Sequence, residues 1–163
     1  MSVRLLSPRL TVLLLTRDKD GDVRAAPFSW IIPISFKPPL IVVAISKENR
    51  GTLPNIKREG MFTINIVSLS WAEKAIKCEK LKRPLEVGLK IKEIGFPIPV
   101  IAEAKAWMAC RLKDIIDCGG DHVIVIGCIE KQRPEKWKKE IQPLLHISGD
   151  EFAYIGEIKK IKR

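Results

Sequence analysis

Histidine is scarce: only His122 and His146 occur in the chain. Two imidazoles are too few for a histidine-rich metal site. The chain has no H-E-x-x-H, G-x-S-x-G, G-x-G-x-x-G or G-x-x-x-x-G-K-[ST]. A dinucleotide would therefore not be held by a Rossmann turn, nor a triphosphate by a P-loop. Cys78, Cys110, Cys118 and Cys128 include no C-x-x-C pair. They read as free, mostly buried thiols in a reducing, cytoplasmic setting, not as a disulfide framework. No uncharged stretch reaches the about 18 residues of a membrane helix. The longest, Gly60 to Ala72, contains Asn65 and three hydroxyl residues. The short apolar run Leu10 to Leu15 is bracketed by Arg9 and Arg17 and reads as a strand, not a signal peptide.

The formal charge is +10, which attracts anions, and nucleic acids and dinucleotides both qualify. The basic residues are scattered, though. The densest cluster, Lys131 to Lys139, has Glu130, Glu135 and Glu140 within or beside it. Neither a basic stripe with stacking aromatics nor a recognition motif is visible, which argues against a nucleic-acid partner.

The apolar share, 46% over 163 residues, suits one folded domain spanning residues 1–163. Strand patterns dominate. Leu10 to Arg17 leads into the turn Asp18-Lys19-Asp20-Gly21, and Val23 to Ser35 resumes the sheet. Lys37-Pro38-Pro39 reads as a stop to pairing. Leu40 to Ser46 is continuously apolar, as in a strand buried on both faces. A helix follows, with Thr52 as N-cap, Pro54 in its first turn and Gly60 at its end. Met61 to Val67 is a strand, and a second helix starts at Ser70 and runs to about Lys77. Leu81 to Pro99 is irregular. Ile101 to Ile116 and Asp121 to Lys131 read as long antiparallel strands about Cys118-Gly119-Gly120. A short helix is expected from Arg133 to about Glu140. Leu144 to Ile147 and Phe152 to Ile158 close the sheet. This pattern predicts a mainly β chain, a barrel with short flanking helices.

Three segments combine residues suited to chemistry. In Ser46 to Thr52 a strand ends just before a helix start, where free N–H groups favour an anion. Arg50 can clamp a phosphate and Ser46 and Thr52 supply hydroxyls. The same residues also fit a capped helix behind a solvated loop. In Ala25-Ala26-Pro27-Phe28-Ser29-Trp30, Pro27 points to an edge or a bulge, where free backbone groups can meet the rim of a flat ring. A strand irregularity without a ligand is the plainer alternative. In Gly119-Gly120-Asp121-His122, His122 can face a cofactor or supply a proton, with Asp121 orienting it or capping the turn. A purely structural histidine fits as well. Asn65, polar inside an apolar strand, needs partners if it is buried.

Taken in order, these segments resemble the flavin reductase-like, FMN-binding split-barrel family. The likeness runs through Ser7-Pro8-Arg9, Thr16-Arg17-Asp18, Ala26-Pro27-Phe28-Ser29-Trp30, Ser35 to Leu40, Arg50-Gly51-Thr52, Asn55-Ile56, Phe62 to Asn65 and Gly119 to His122. It implies a Greek-key split β-barrel and a homodimer with FMN at or near the subunit interface. It implies that Ala26, Pro27, Phe28, Ser29 and Trp30 lie along the isoalloxazine. Ser46, Arg50 and Thr52 would hold the phosphate, with Asn55 close by and Asn65 also in the cofactor site. His122 would face the flavin as the catalytic residue. NADH or NADPH would give hydride to flavin N5, and electrons would pass to a small-molecule or protein acceptor. Where relatives have Asp-Lys-Phe before Gly-Leu, this chain has Lys82-Arg83-Pro84 before Gly88-Leu89, so Arg83 stands in for the lysine. An FMN electron carrier without nicotinamide turnover is the nearest rival. A colourless basic β-barrel that binds nucleic acid is the alternative from another class.

Overall fold

A computed structural model describes residues 3–133 and 142–156. Its strands are β1 (Arg9–Leu10), β2 (Val12–Arg17), β3 (Val23–Phe28), β4 (Ile31–Phe36), β5 (Pro39–Ser46) and β6 (Met61–Ile66). They continue with β7 (Ile91–Lys92), β8 (Val100–Ile101), β9 (Trp107–Asp117), β10 (His122–Gln132), β11 (Leu144–Ser148) and β12 (Glu151–Tyr154). Two helices, α1 (Thr52–Glu59) and α2 (Ala72–Leu81), interrupt them.

Seven strands form one antiparallel sheet in the order β3-β2-β6-β9-β10-β5-β4. The consecutive strands β3 and β4 are thus its two opposite edges. Only Ser29 and Trp30 join them. Three Cα steps span at most about 11 Å, so the sheet must curl until its edges nearly meet. They do not pair, and the barrel stays split there. The Val23 to Ser35 segment is therefore two strands on opposite lips of the split, not one.

Alternation sorts the side chains into two cores. Inside the curl lie Val12, Leu14, Ile41, Val43, Ile45, Phe62, Ile64 and Cys110, and α1 closes the space with Leu53 and Ile56. Outside, α2 and the segment after it cover Leu13, Leu15, Ala25, Val67, Ala109 and Leu144 with Trp71, Ala75, Leu89, Phe96 and Ile98. It is β2 that is buried on both faces. The apolar run of β5 alternates between buried and half-buried positions, which corrects the expectation for Leu40 to Ser46. Gly127 lets β10 cross close above Phe62, where a Cβ would lie 2.6 Å from the ring.

Several local expectations change. Lys37 and Pro38 form a hairpin turn instead of a stop, since Phe36 still pairs with Pro39 on the edge, where prolines cost little. The N-cap of α1 is Gly51, not Thr52. The capping acceptor is the Asn49 side chain, which takes the N–H groups of Gly51 and Leu53 at 3.1 Å each. The second helix runs on to Leu81 and ends with Lys82 in the left-handed region. The strand expected from Ile101 begins at Trp107. Before it, Val100 and Ile101 pair with Lys92 and Ile91. The last strands do not close the main sheet. They form a separate sheet in the order β1-β11-β12. The helix expected from Arg133 and the end of the Phe152 to Ile158 strand lie outside the described residues. No helix among the described residues is long and apolar enough to cross a membrane.

Candidate functional site

The split gathers part of the expected site. Trp30 closes the link between the two edges, and its carbonyl accepts the Ala44 N–H at 2.9 Å. One strand further in, His122 opens β10 opposite Ser46, the last residue of β5. The Trp30 and His122 rings stack, with centroids 4.7 Å apart and planes 26° from parallel. The His122 Nδ1 meets the Asp121 carboxylate at 2.8 Å. That hydrogen bond, reinforced by the imidazole's charge, holds Asp121 below the usual carboxylate range. It also fixes the ring, so Nε2 is the nitrogen left for other chemistry. Nearby, the Lys47 Nζ bonds Asp117 at 2.7 Å and lowers that carboxyl as well. The Lys47 N–H binds the Asp121 carbonyl. The strand ends that carry Ser46 and His122 are thereby tied together.

The edge strand β3 carries no bulge. Its pairing with β2 is unbroken from Val23 to Phe28. Ala25 turns its N–H outward to the Lys82 carbonyl at 2.8 Å. By alternation Pro27 also faces outward, where a missing N–H costs nothing. The open edge thus presents carbonyl acceptors. In the two-residue link, the N–H groups of Ser29 and Trp30 find no backbone acceptor among the described residues. Acceptors along the strand and donors at the link match a ring whose rim both donates and accepts.

On the far side of Ser46, the loop rises to α1. Arg50 is exposed and has no ion-pair partner among the described residues. Nothing lies within 4 Å of a Cβ built on Gly51, so the backbone there is open to a ligand. Thr52 is buried in the first turn of α1. The free N–H groups expected here are mostly taken, since Asn49 holds those of Gly51 and Leu53 and Pro54 has none, so an anion at this loop would rest on the Arg50 side chain and the Ser46 and Thr52 hydroxyls.

Three expected residues stand apart. Asn55 is buried, gives its Nδ2–H to the Thr16 hydroxyl at 3.0 Å and accepts from Arg58, so it ties α1 to β2. Asn65 is 0% exposed. Its Nδ2 donates to the Leu13 carbonyl at 3.1 Å and its Oδ1 accepts from the Ile101 N–H at 2.8 Å. In this chain it has no surface for a cofactor. Arg83 lies towards the other end of the β3 edge, in a cleft of about 380 Å³ lined by Arg17, Asp22, Leu85, Glu86 and Ile91 among others. It is held by Asp22 at 3.1 Å and Glu86 at 3.4 Å.

Sequence reading assigned no role to Arg9. Its guanidinium lies 6.0 Å from the centre of the Trp30 ring. Twenty-one positions separate the two residues, and only the fold brings them together. His146 stands opposite Arg9 in the β1–β11 pairing, packs on Phe152 and bonds the Gly149 carbonyl. Among the described residues no cluster of metal-ligating side chains occurs. Cys78 and Cys110 are buried and Cys128 half-buried, while Cys118 is exposed. Burial pushes the Cys78 thiol up to about 11 and Cys110 higher still, so both stay protonated.

Comparison with known proteins places this arrangement. An uncharacterised protein of Aeropyrum pernix is 30% identical over 159 residues, covering 88% of this chain and 59% of its own length. The chain thus spans less than two thirds of that relative. The crystal structure of nitrilotriacetate monooxygenase component B from Bacillus cereus superposes with a TM-score of 0.86 at 22% identity, over 96% of this chain and 88% of the other. A flavin reductase structure with a split barrel domain, from Shewanella frigidimarina, gives 0.86 at 21% identity, over 98% and 88%. At these identities the two structures establish the split-barrel fold. The model of the flavin reductase like domain matches residues 6–154, and the chain belongs to that family.

Proposed function

We propose that the chain is a single FMN-binding domain, working as a homodimer, that takes electrons from NADH or NADPH and passes them to a small-molecule or protein acceptor. The observation that carries this is the Trp30–His122 stack set beside Ser46 at the mouth of the split, in a chain of this family. The residues present fit FMN. Ala26 to Trp30 would line the ring edge with carbonyls and two unpaired N–H groups, and Ser46, Arg50 and Thr52 would take the phosphate. When bound, FMN supplies a two-electron centre whose N5 accepts hydride.

The chain's own residues do the rest. His122 is held through Nδ1 by Asp121, which leaves Nε2 to hold or give a proton. Trp30 keeps the imidazole plane fixed and covers one side of it. Arg50 draws in a doubly charged phosphate without having to break an ion pair first.

The β4 edge supports the dimer. Ile32, Ile34 and Phe36 are 59%, 47% and 94% exposed on a strand paired on one side only. An unpaired apolar edge of this kind invites a partner strand or face. A second copy seated there would lie next to Trp30, which begins this lip, and would help wall the ring site.

The test is an absorption spectrum of the purified protein, then anaerobic addition of NADH or NADPH. A yellow protein that bleaches near about 450 nm, the oxidised-flavin band, supports the whole reading. A yellow protein that does not bleach is an electron carrier. A colourless, well-folded protein that takes up no added FMN refutes the assignment.

A further inference from the structure

Beside the stacked pair stands Arg9, and it and the nearby Ser7 carry polar groups that the described residues leave unanswered. The Arg9 Nε is buried and has no hydrogen-bond partner among the described residues, and the same is true of the Ser7 hydroxyl two residues earlier. Arg9 forms no ion pair among the described residues, although the chain has other arginines in close carboxylate pairs, such as Arg24 with Asp18 at 2.6 Å and Arg83 with Asp22 at 3.1 Å. What Arg9 does touch is aromatic: its guanidinium stands 6.0 Å from the Trp30 ring centre. A cation over a ring keeps its full charge, and its N–H groups remain free for an anion.

A folded chain rarely leaves a guanidinium partly buried without a carboxylate or a hydroxyl without an acceptor. Here both occur within three residues. A tetrahedral oxyanion answers both at once, since its several oxygens can accept from Nε–H and from a hydroxyl together. β1 itself is anchored: Arg9 is paired with His146 and Leu10 with Leu145, so the guanidinium springs from fixed backbone two residues after Ser7.

We infer that Ser7 and Arg9 form a phosphate subsite beside the Trp30–His122 stack, taking a phosphoryl group of a nucleotide ligand. The inference rests on the flavin and nicotinamide reading above, and it names a group that reading leaves out. Two sources carry this chemistry: the pyrophosphate of the reduced nicotinamide dinucleotide, and the single phosphate of FMN. Ser46, Arg50 and Thr52 already answer the second, so the first is the assignment made here.

The experiment compares the full-length wild type with Arg9→Gln, Arg9→Lys and Ser7→Ala. Calorimetry measures binding of ADP, which carries a pyrophosphate without flavin or nicotinamide. Separate titrations measure FMN and riboflavin, and steady-state kinetics give KM for NADH and NADPH. The expected result is at least a tenfold loss of ADP affinity in Arg9→Gln. A matching rise in nicotinamide KM should accompany it, with FMN affinity within twofold of wild type. Loss of FMN affinity with riboflavin unchanged would support the subsite but assign it to FMN's phosphate. If ADP, FMN and both nicotinamide constants all stay within twofold, the subsite does not exist. Should Arg9→Gln fail to fold, Arg9→Lys and Ser7→Ala decide. Arg9→Lys keeps the charge but removes Nε, and each variant should weaken the same ligand at least threefold. No change in either overturns the inference. A wild type that takes up no FMN defeats the flavin reading alone, because Arg9-dependent ADP binding is measured without flavin.

Discussion

Replacing Asn65 separates a cofactor ligand from a structural clamp. The resemblance to the family puts Asn65 in the cofactor site, whereas the fold seals it between β2 and β8. In Asn65→Ala the Ile101 N–H loses its partner inside the outer core, and the Leu13 carbonyl, which faces β6 in the ladder, loses its side-chain hydrogen bond. The unsatisfied N–H costs about 1–3 kcal/mol and the lost second bond to the carbonyl about 1 kcal/mol more, so the loss is about 3–4 kcal/mol. A domain of ordinary stability, about 5–15 kcal/mol, survives that loss but with a thin margin. With a urea dependence of about 2 kcal/mol per molar, the unfolding midpoint falls by about 2 M. Urea titration followed by tryptophan fluorescence reads this directly. FMN affinity, measured without urea, should stay within a few-fold of wild type.

Asn65→Asp sharpens the test. A carboxylate beside the Leu13 carbonyl repels it and is desolvated, so its folded pKa rises above the unfolded value of about 3.9. Between the two values the folded state holds the extra proton, so stability declines as pH rises through that window. Below about pH 3.9 the protonated acid can donate to Leu13 and accept from Ile101, and the variant should approach wild type. A midpoint unchanged in Asn65→Ala, with FMN affinity reduced tenfold or more, would refute the clamp and restore Asn65 to the cofactor site.

Three other outcomes follow from the same geometry. Arg50→Ala should weaken FMN by about 10-fold or more, the worth of one charge-assisted hydrogen bond, and leave riboflavin unchanged. Equal losses for both ligands would remove the phosphate role. His122→Ala should retain FMN, unfold within about 1 kcal/mol of wild type because the ring lies at the surface, and reduce flavin more slowly under anaerobic stopped flow. Loss of folding would make His122 structural. Ile34→Lys should convert a dimer into a monomer in analytical ultracentrifugation, by placing a charge on the exposed β4 edge. A wild type that is already monomeric defeats the dimer reading.

The sequence revealed most strands because β-branched runs and glycine or proline turns act locally. Asp18 to Gly21 is such a case: the Asp18 carboxylate takes the N–H groups of Asp20 and Asp22, and Gly21 has a φ of 84°. Which faces are buried was less legible. Leu40 to Ser46 and Val12 to Arg17 are similarly apolar, yet only β2 has a helix packed over its outer face. That difference is made by α2 and the irregular segment after it, far along the chain. The role of Asn65 was hidden for the same reason, since its partners are 52 and 36 positions away. Arg9 entered only through the Ser7-Pro8-Arg9 likeness, and its place beside Trp30 is set by the curl of the sheet.

The split itself explains why the candidate site falls where it does. A closed barrel satisfies every backbone group and has nothing to offer a ligand's polar rim. This sheet curls until its lips almost touch, then leaves them unpaired at Ser29 and Trp30. Free N–H groups are costly in a closed interior but cost little at an opening that water or a ligand can reach. The two-residue link fixes the distance between the lips, and Pro27 keeps one outward position from pairing with another strand. The Trp30–His122 stack then spans from the link to the start of β10. On the proposed reading, binding capacity would come from pairing left incomplete at one place in the sheet. It follows that strengthening the lips, by any change that let β3 pair with β4, would stabilise the barrel and abolish the site.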